Sequence, residues 1–280
     1  MKKILIVGLG LIGGSYAKGL TKNGYEVYAY NRSIEAVNFA KENKIIVDGT
    51  NEFTKDFVCQ FDRIIFSLYP KIFKEYIETY NTYIKDGTII SDVTGVKEAI
   101  IYDIQNILGD RVEFIAAHPM AGREVYGVKN STEKIFENAN YIITPTEKNT
   151  KEGIDFAKEI GQVLKFRKIS ILTPKEHDEM IAFLSQLTHC IAVSLMTCKD
   201  SEYLVDYTGD SFRDLTRIAN INENMWTELF LLNKKALLRE IDSFVDQISN
   251  LRDYINKDDV DKIKEMMILS TKRRKYFDKN

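Results

Sequence analysis

The chain has 280 residues, and its 39 Lys plus Arg nearly balance 41 Asp plus Glu, giving a formal charge of −2. That balance argues against a polyanionic partner such as nucleic acid and leaves a small molecule as the expected ligand. Its three cysteines, Cys59, Cys190 and Cys198, are odd in number, scattered and without CxxC spacing; they support neither a disulfide framework nor a metal site, and they suit a reducing cytoplasm.

The chain opens Met1-Lys2-Lys3 and runs into ILIVGLGLIGGSYA. The outline is that of a signal peptide, but Gly8, Gly10, Gly13 and Gly14 interrupt the apolar run, and a strand turning into a helix accounts for them better. Apolar, β-branched runs predict strands over 3–8, 26–31, 63–68, 88–93, 113–118, 141–144 and 165–169. Amphipathic stretches alternate with them, the first over 12–23. That order predicts an α/β, doubly wound parallel sheet up to about residue 170.

From Thr173 the strand signal stops and helical periodicity takes over. Thr173-Pro174-Lys175-Glu176 has the form of a capping box, with Pro174 at the first helical position. Two domains are therefore expected, 1–170 and a helical 171–280. No later stretch reaches the ~20 uninterrupted apolar residues of a membrane span. Leu237, Ile241, Phe244, Ile248, Leu251 and Ile255 recur at steps of four and three, the spacing of a seam that packs either inside the domain or against a second subunit. The run Lys272-Arg273-Arg274-Lys275 reads as a solvated helix end.

Gly8-Leu9-Gly10-Leu11-Ile12-Gly13 matches GxGxxG between a strand and a helix, the context that marks a Rossmann-type dinucleotide site. Gly8 permits the turn, Gly10 lets backbone approach a pyrophosphate, and Gly13 lets the helix pack on the strand. The N–H groups of the first turn, including Leu11 and Ile12, then face the anion. The second strand ends in Asn31-Arg32-Ser33 rather than in the acid that commonly holds a ribose 2′-hydroxyl. Asn31, Arg32 and Ser33 offer donors to a 2′-phosphate, which tilts the reading between NAD and NADP toward NADP; Asn31 and Ser33 are also ordinary turn and N-cap residues.

The chain has three histidines. His118 ends a predicted strand, at the sheet edge where ligands of open α/β sheets bind. His177 and His189 belong to the first helix of the second region, where Ser185 and His189 are four apart and share a face, so that all three could line one wall of a pocket. Arg213 and Arg217 are likewise four apart in SFRDLTR, and a guanidinium fork suits a substrate carboxylate; the alternative is a surface pair between Asp214 and Arg217.

These motifs, GLGLIGGS, DVTGVK (92–97), HPMAGRE (118–124), LTPKEHD (172–178), SQLTH (185–189), FRDLTRIA (212–219) and Met225-Trp226, together resemble the prephenate dehydrogenase family of tyrosine biosynthesis, with the related arogenate dehydrogenases. The resemblance implies a Rossmann domain joined to a helical dimerisation domain, a homodimer through the C-terminal helices, and oxidative decarboxylation of prephenate to 4-hydroxyphenylpyruvate with hydride transfer to NAD(P). It implies His118 as base, Arg217 as carboxylate clamp and His189 on the opposite wall, with His177, Arg213 and Glu124 orienting or gating. The family often has serine where Gly95 stands, so a hydroxyl contact near His118 is expected either to be absent or to come from neighbouring Thr94. SHLPH reads SQLTH here, which makes Gln186 and Thr188 candidates for tuning prephenate against arogenate. No ligand-sensing domain is expected after the helical region, although tyrosine could still compete at the site. Rival readings are another small-acid or imine reductase of the same plan and a non-catalytic NAD(P)-sensing module.

Overall fold

The computed structural model describes residues 2–199 and 202–278. The chain forms two compact units, Met1–Lys234 and Lys235–Asn280. In the first, β1 (Lys3–Val7), β2 (Glu26–Tyr30), β3 (Asp48–Thr50), β4 (Arg63–Phe66), β5 (Ile89–Asp92), β6 (Glu113–Pro119), β7 (Asn140–Thr144) and β8 (Lys168–Ile171) join in one eight-stranded sheet ordered β3-β2-β1-β4-β5-β6-β7-β8. The helices α1 (Leu11–Lys22), α2 (Ile34–Glu42), α3 (Lys55–Val58), α4 (Pro70–Tyr80), α5 (Glu98–Leu108) and α6 (Lys151–Val163) cover its two faces.

Central strands such as KILIV are apolar without alternation because both faces are covered. One face buries Tyr16 and Leu20 of α1, Val37 of α2 and Phe156 and Ile160 of α6. The other buries Val58 of α3, Phe73 and Ile77 of α4, and Ile100 and Ile104 of α5. Each such side chain contributes about 1.5–3 kcal/mol by leaving water.

The sheet departs from the sequence expectation in three places. Asp-Gly-Thr at 48–50 pairs with β2, although three residues without an apolar run carry no strand signal. β7 pairs antiparallel with β6, which corrects the all-parallel expectation: residues 120–139 hold only two short 3-10 turns, so no crossover helix carries the chain back to start a parallel strand. The last strand begins at Lys168 rather than Lys165, because Lys165 takes a left-handed φ of 59° just after α6, a conformation that ends helices and does not start strands.

The helical part of this unit comprises α7 (Pro174–Ile181), a π-helical turn over Ala182–Gln186, α8 (Leu187–Thr197), α9 (Asp210–Thr216) and α10 (Glu223–Leu232). The capping box forms as expected: Thr173 Oγ1 accepts the Glu176 N–H at 3.2 Å and Glu176 Oε2 accepts the Thr173 N–H at 2.8 Å. Among the described residues one helical run, Pro174–Thr197, is long and apolar enough by length and composition to cross a membrane, with mean hydropathy 1.5. It also carries His177, Asp178, Gln186 and His189, whose polar contacts are described next. The second unit consists mainly of α11 (Lys234–Asn256) and α12 (Val260–Arg274), with Leu237 buried but Ile248, Ile255, Met267 and Ile268 exposed. The basic run at the end of α12 is exposed, as expected, and Arg274 pairs with Asp278.

Candidate active site

The glycine-rich turn has the shape its spacing predicts. Gly8 has φ of +102°, and a Cβ there would lie 2.5 Å from the Ser67 carbonyl oxygen, so strand β1 can turn and pass β4 closely only with glycine. A Cβ on Gly13 would lie 1.9 Å from the Gly8 carbonyl oxygen, whereas one on Gly10 would meet nothing within 4 Å. Gly10 caps α1 without a side chain, and no acid occupies the first turn. The Leu11, Ile12 and Gly13 N–H groups of that turn therefore border an open, electropositive cradle that fits a pyrophosphate.

Beyond β2 the donors are largely in use. Asn31 Oδ1 accepts the Leu9 N–H at 2.9 Å and its Nδ2 donates to the Ser33 carbonyl at 3.2 Å. Ser33 Oγ accepts the Ala36 N–H as N-cap of α2 and donates to Glu35 Oε2 at 2.6 Å. Arg32 is exposed.

At the carboxyl edge of β6, His118 Nδ1 lies 2.9 Å from His177 Nε2, and His177 Nδ1 lies 2.7 Å from Asp178 Oδ1. Asp178 also accepts the backbone N–H groups of Lys97 and Glu98 at 2.9 and 2.8 Å. The carboxylate can only accept, so His177 carries its proton on Nδ1 and accepts at Nε2. His118 must then donate from Nδ1, which leaves its Nε2 lone pair free beside Gly95, where a Cβ would lie 3.8 Å away. Burial holds the His118 pKa well below its usual value, and the charges of His177 and Lys97 act in the same direction. Burial also lowers His177, against the pull of Asp178. Both rings are thus neutral near pH 7, as a base requires.

Lys97 lies beneath this pair with no exposed surface. Its ammonium donates to Asp92 Oδ2 at 2.7 Å, the Ala117 carbonyl at 2.7 Å and Thr94 Oγ1 at 3.2 Å. Asp92 Oδ1 accepts the Ala117 N–H at 3.0 Å. The ion pair is therefore fully bonded, the condition under which a buried pair is tolerated. The single proton of the Thr94 hydroxyl is directed to Asp92, with the Val96 carbonyl also within 3.0 Å, while the oxygen accepts from Lys97. That hydroxyl is held by Asp92 and Lys97, which favours the other alternative, that no hydroxyl serves His118.

A second group of side chains gathers on α8, α10 and the loop after β6. The π-helical turn shifts the phase of the helix, so His177 meets His118 while His189 turns elsewhere, stacking on Trp226 at 3.7 Å with 29° between planes. The single wall expected from helical spacing is thus split. His189 Nδ1 donates to the Ser185 carbonyl at 2.9 Å, leaving Nε2 free. Burial lowers the His189 pKa, with Glu124 and Arg217 acting on it in opposite directions. Arg217 pairs with Glu124 at 2.6 Å rather than with Asp214. Arg213 instead braces its own turn, through the Thr208 carbonyl at 3.0 Å and Asp210 at 2.7 Å.

Gln186 is buried. Its Nε2 donates to the Leu229 carbonyl at 2.9 Å and its Oε1 accepts from Asn233 at 2.8 Å, so this departure from the family motif is a packing feature. Thr188 back-bonds to the Ser185 carbonyl. Asp92, Lys97, Asp178 and Trp226 were not among the predicted site residues, although the motifs DVTGVK, LTPKEHD and Met225-Trp226 contain them. Among the described residues no group of three or more His, Cys, Asp or Glu is placed to hold a metal.

Comparison with known proteins agrees with this geometry. Residues 16–170 match the family model "Prephenate dehydrogenase, nucleotide-binding domain", and residues 173–269 match "Prephenate dehydrogenase, dimerization domain". The chain is 31% identical over 269 residues to prephenate dehydrogenase of Bacillus subtilis, covering 93% of this chain and 72% of that one. It is 28% identical to cyclohexadienyl dehydrogenase of Zymomonas mobilis over 98% of this chain and 95% of that one. A crystal structure of prephenate dehydrogenase from A. aeolicus in complex with hydroxyphenyl propionate and NAD+ superposes with a TM-score of 0.90 at 30% identity, covering 99% of both chains. The chain belongs to the prephenate dehydrogenase family.

Proposed function

We propose that this chain catalyses oxidative decarboxylation of prephenate to 4-hydroxyphenylpyruvate, using a nicotinamide dinucleotide held by Gly8, Gly10, Leu11, Ile12 and Gly13. The observation that carries the reading is the histidine chain ending in Asp178, which leaves His118 Nε2 as a neutral, unprotonated base at the carboxyl edge of the sheet. The dinucleotide supplies the acceptor for the hydride that leaves the ring carbon bearing the hydroxyl. His118 takes the hydroxyl proton as that carbon becomes a carbonyl. The ring carboxylate then leaves as carbon dioxide, its bonding electrons aromatise the ring onto the same oxygen, and His118 returns the proton to it. Asp178, through His177, offsets the positive charge while the proton resides on His118.

Arg217 holds a substrate carboxylate after exchanging it for Glu124, and His189, positioned by the Ser185 carbonyl and Trp226, forms the facing wall. Arg213 and Thr94 act on the shape of the site rather than on substrate, given the partners each already has. The functional division is 1–170 for the dinucleotide and 171–280 for substrate and dimer contacts. A homodimer through the C-terminal helices would cover the apolar side chains exposed on α11 and α12. The three cysteines are unpaired, which suits the cytoplasm.

The test is reduction at 340 nm with prephenate or arogenate against NAD and NADP, in all four pairs. Turnover with prephenate supports the proposal, turnover with arogenate alone reassigns the substrate, and no turnover in any pair despite dinucleotide binding rejects both.

A further inference from the structure

We propose that Glu35 replaces the acid missing from the end of β2 and makes this chain select NAD over NADP, an inference that rests on the dinucleotide reading above. The donors that argued for a 2′-phosphate are occupied. Asn31 holds the glycine-rich turn through Leu9 and its own turn through Ser33, and the Ser33 hydroxyl is shared between Glu35 and the α2 N-terminus. Arg32 remains, but it does not line the cleft of about 700 Å³ that opens beside Asn31 and Ser33. Its charge acts on the Tyr30 hydroxyl, which bonds Tyr76 among the aromatic rings of the other sheet face.

That cleft is lined instead by Leu9, Asn31, Ser33, Glu35, Glu42 and Lys129, among others, so carboxylates outnumber ammonium groups. Ser33 donates to one Glu35 oxygen and holds its pKa below the usual range. The charge is therefore present at any physiological pH, and the hydrogen bond fixes its direction. The other oxygen, with its remaining lone pairs, can accept a ribose 2′-hydroxyl, the task given to an acid at the end of the second strand in NAD-binding folds. A 2′-phosphate placed there meets the like charge of Glu35 and Glu42, against which the cleft lining sets the single ammonium of Lys129, itself held over the Phe39 ring.

Direct binding tests this without substrate: fluorescence titration of purified protein with NADH and NADPH, for wild type, Glu35→Gln and Arg32→Ala. Wild type should bind NADH at least about tenfold more tightly than NADPH. Glu35→Gln should narrow that ratio by roughly fivefold or more, and Arg32→Ala should leave the ratio within about twofold. Tighter NADPH binding by wild type, or a ratio unmoved by Glu35→Gln, overturns the assignment. A ratio moved only by Arg32→Ala does the same. Failure of either dinucleotide to bind any of the proteins would instead overturn the dinucleotide reading on which the assignment rests.

Discussion

His118 Nδ1 stands 2.9 Å from His177 Nε2, and the carboxylate of Asp178 on the far side of His177 decides which ring owns the shared proton. With His118 as the base proposed above, its tautomer is thus set by a carboxylate two hydrogen bonds away. Asp178→Asn should reverse the chain, because an amide NH₂ donated to His177 Nδ1 moves that ring's proton to Nε2 and turns His118 Nδ1 into an acceptor. The expected loss in kcat is on the order of 10²–10⁴, with dinucleotide affinity unchanged. A kcat within threefold of wild type would show that the tautomer is not controlled there.

Arg217 and Glu124 form an ion pair, which a substrate carboxylate held by Arg217, as proposed above, has to break. Arg217→Ala should therefore raise KM by a factor corresponding to about 1.5–3 kcal/mol, the value of a charge-assisted contact. Glu124→Gln removes the competitor and should lower KM or leave it unchanged. Steady-state kinetics on both variants check this, and an unchanged KM in Arg217→Ala would remove that residue from the substrate site.

Gly10 and Gly13 look equivalent in the motif but not in space. Gly13→Ala forces a Cβ toward the Gly8 carbonyl at 1.9 Å and should destabilise the fold by roughly 1–3 kcal/mol or more. Gly10→Ala puts a methyl group into open space, so the melting temperature should hold while dinucleotide affinity drops. Thermal melts and NADH titrations run side by side separate the two, and equal melting losses would contradict the packing argument.

Gly95 faces His118 Nε2, and a Cβ there would make ordinary van der Waals contact, 3.5 Å from Leu229 and 3.8 Å from the imidazole nitrogen. Gly95→Ser should therefore fold normally and place a hydroxyl near the base, altering the pH dependence of kcat/KM more than the melting temperature. Loss of folded protein would show the space to be smaller than it looks.

Stability should fall on acidification below neutrality. Burial places the folded pKa of His118, His177 and His189 below the usual histidine value, so the unfolded chain takes up protons first. The contribution is complete above about pH 6.5 and is lost as pH drops from there through the folded values, at up to about 1.4 kcal/mol per pH unit for each fully buried ring. Urea midpoints from pH 7.5 to 5 for wild type and a His118→Asn/His177→Gln double variant test this. Parallel curves would mean that these rings do not contribute the slope.

Short-range patterns were legible directly. Strand runs, the GxGxxG turn and the Thr173 capping box each appear where local chemistry demands, because propensity, glycine sterics and capping act within a few residues. β3 and the antiparallel β7 were not legible, since their pairing depends on where neighbouring strands already lie.

The candidate site divides along the same line. Sequence determined by itself that His118 would end a strand, that Arg217 and His189 would sit on helices, and that Gly8 and Gly13 would shape a dinucleotide turn. Only the tertiary structure decided that Asn31 and Thr94 are spoken for, that Arg217 chooses Glu124 over Asp214, that a π-helical turn parts His177 from His189, and that Asp178 reaches His118 through His177. A hydrogen-bond partner 59 or 93 residues distant leaves no periodic trace in the chain; it is selected when packed elements bring donors and acceptors together out of water, where each buried polar group must find a partner.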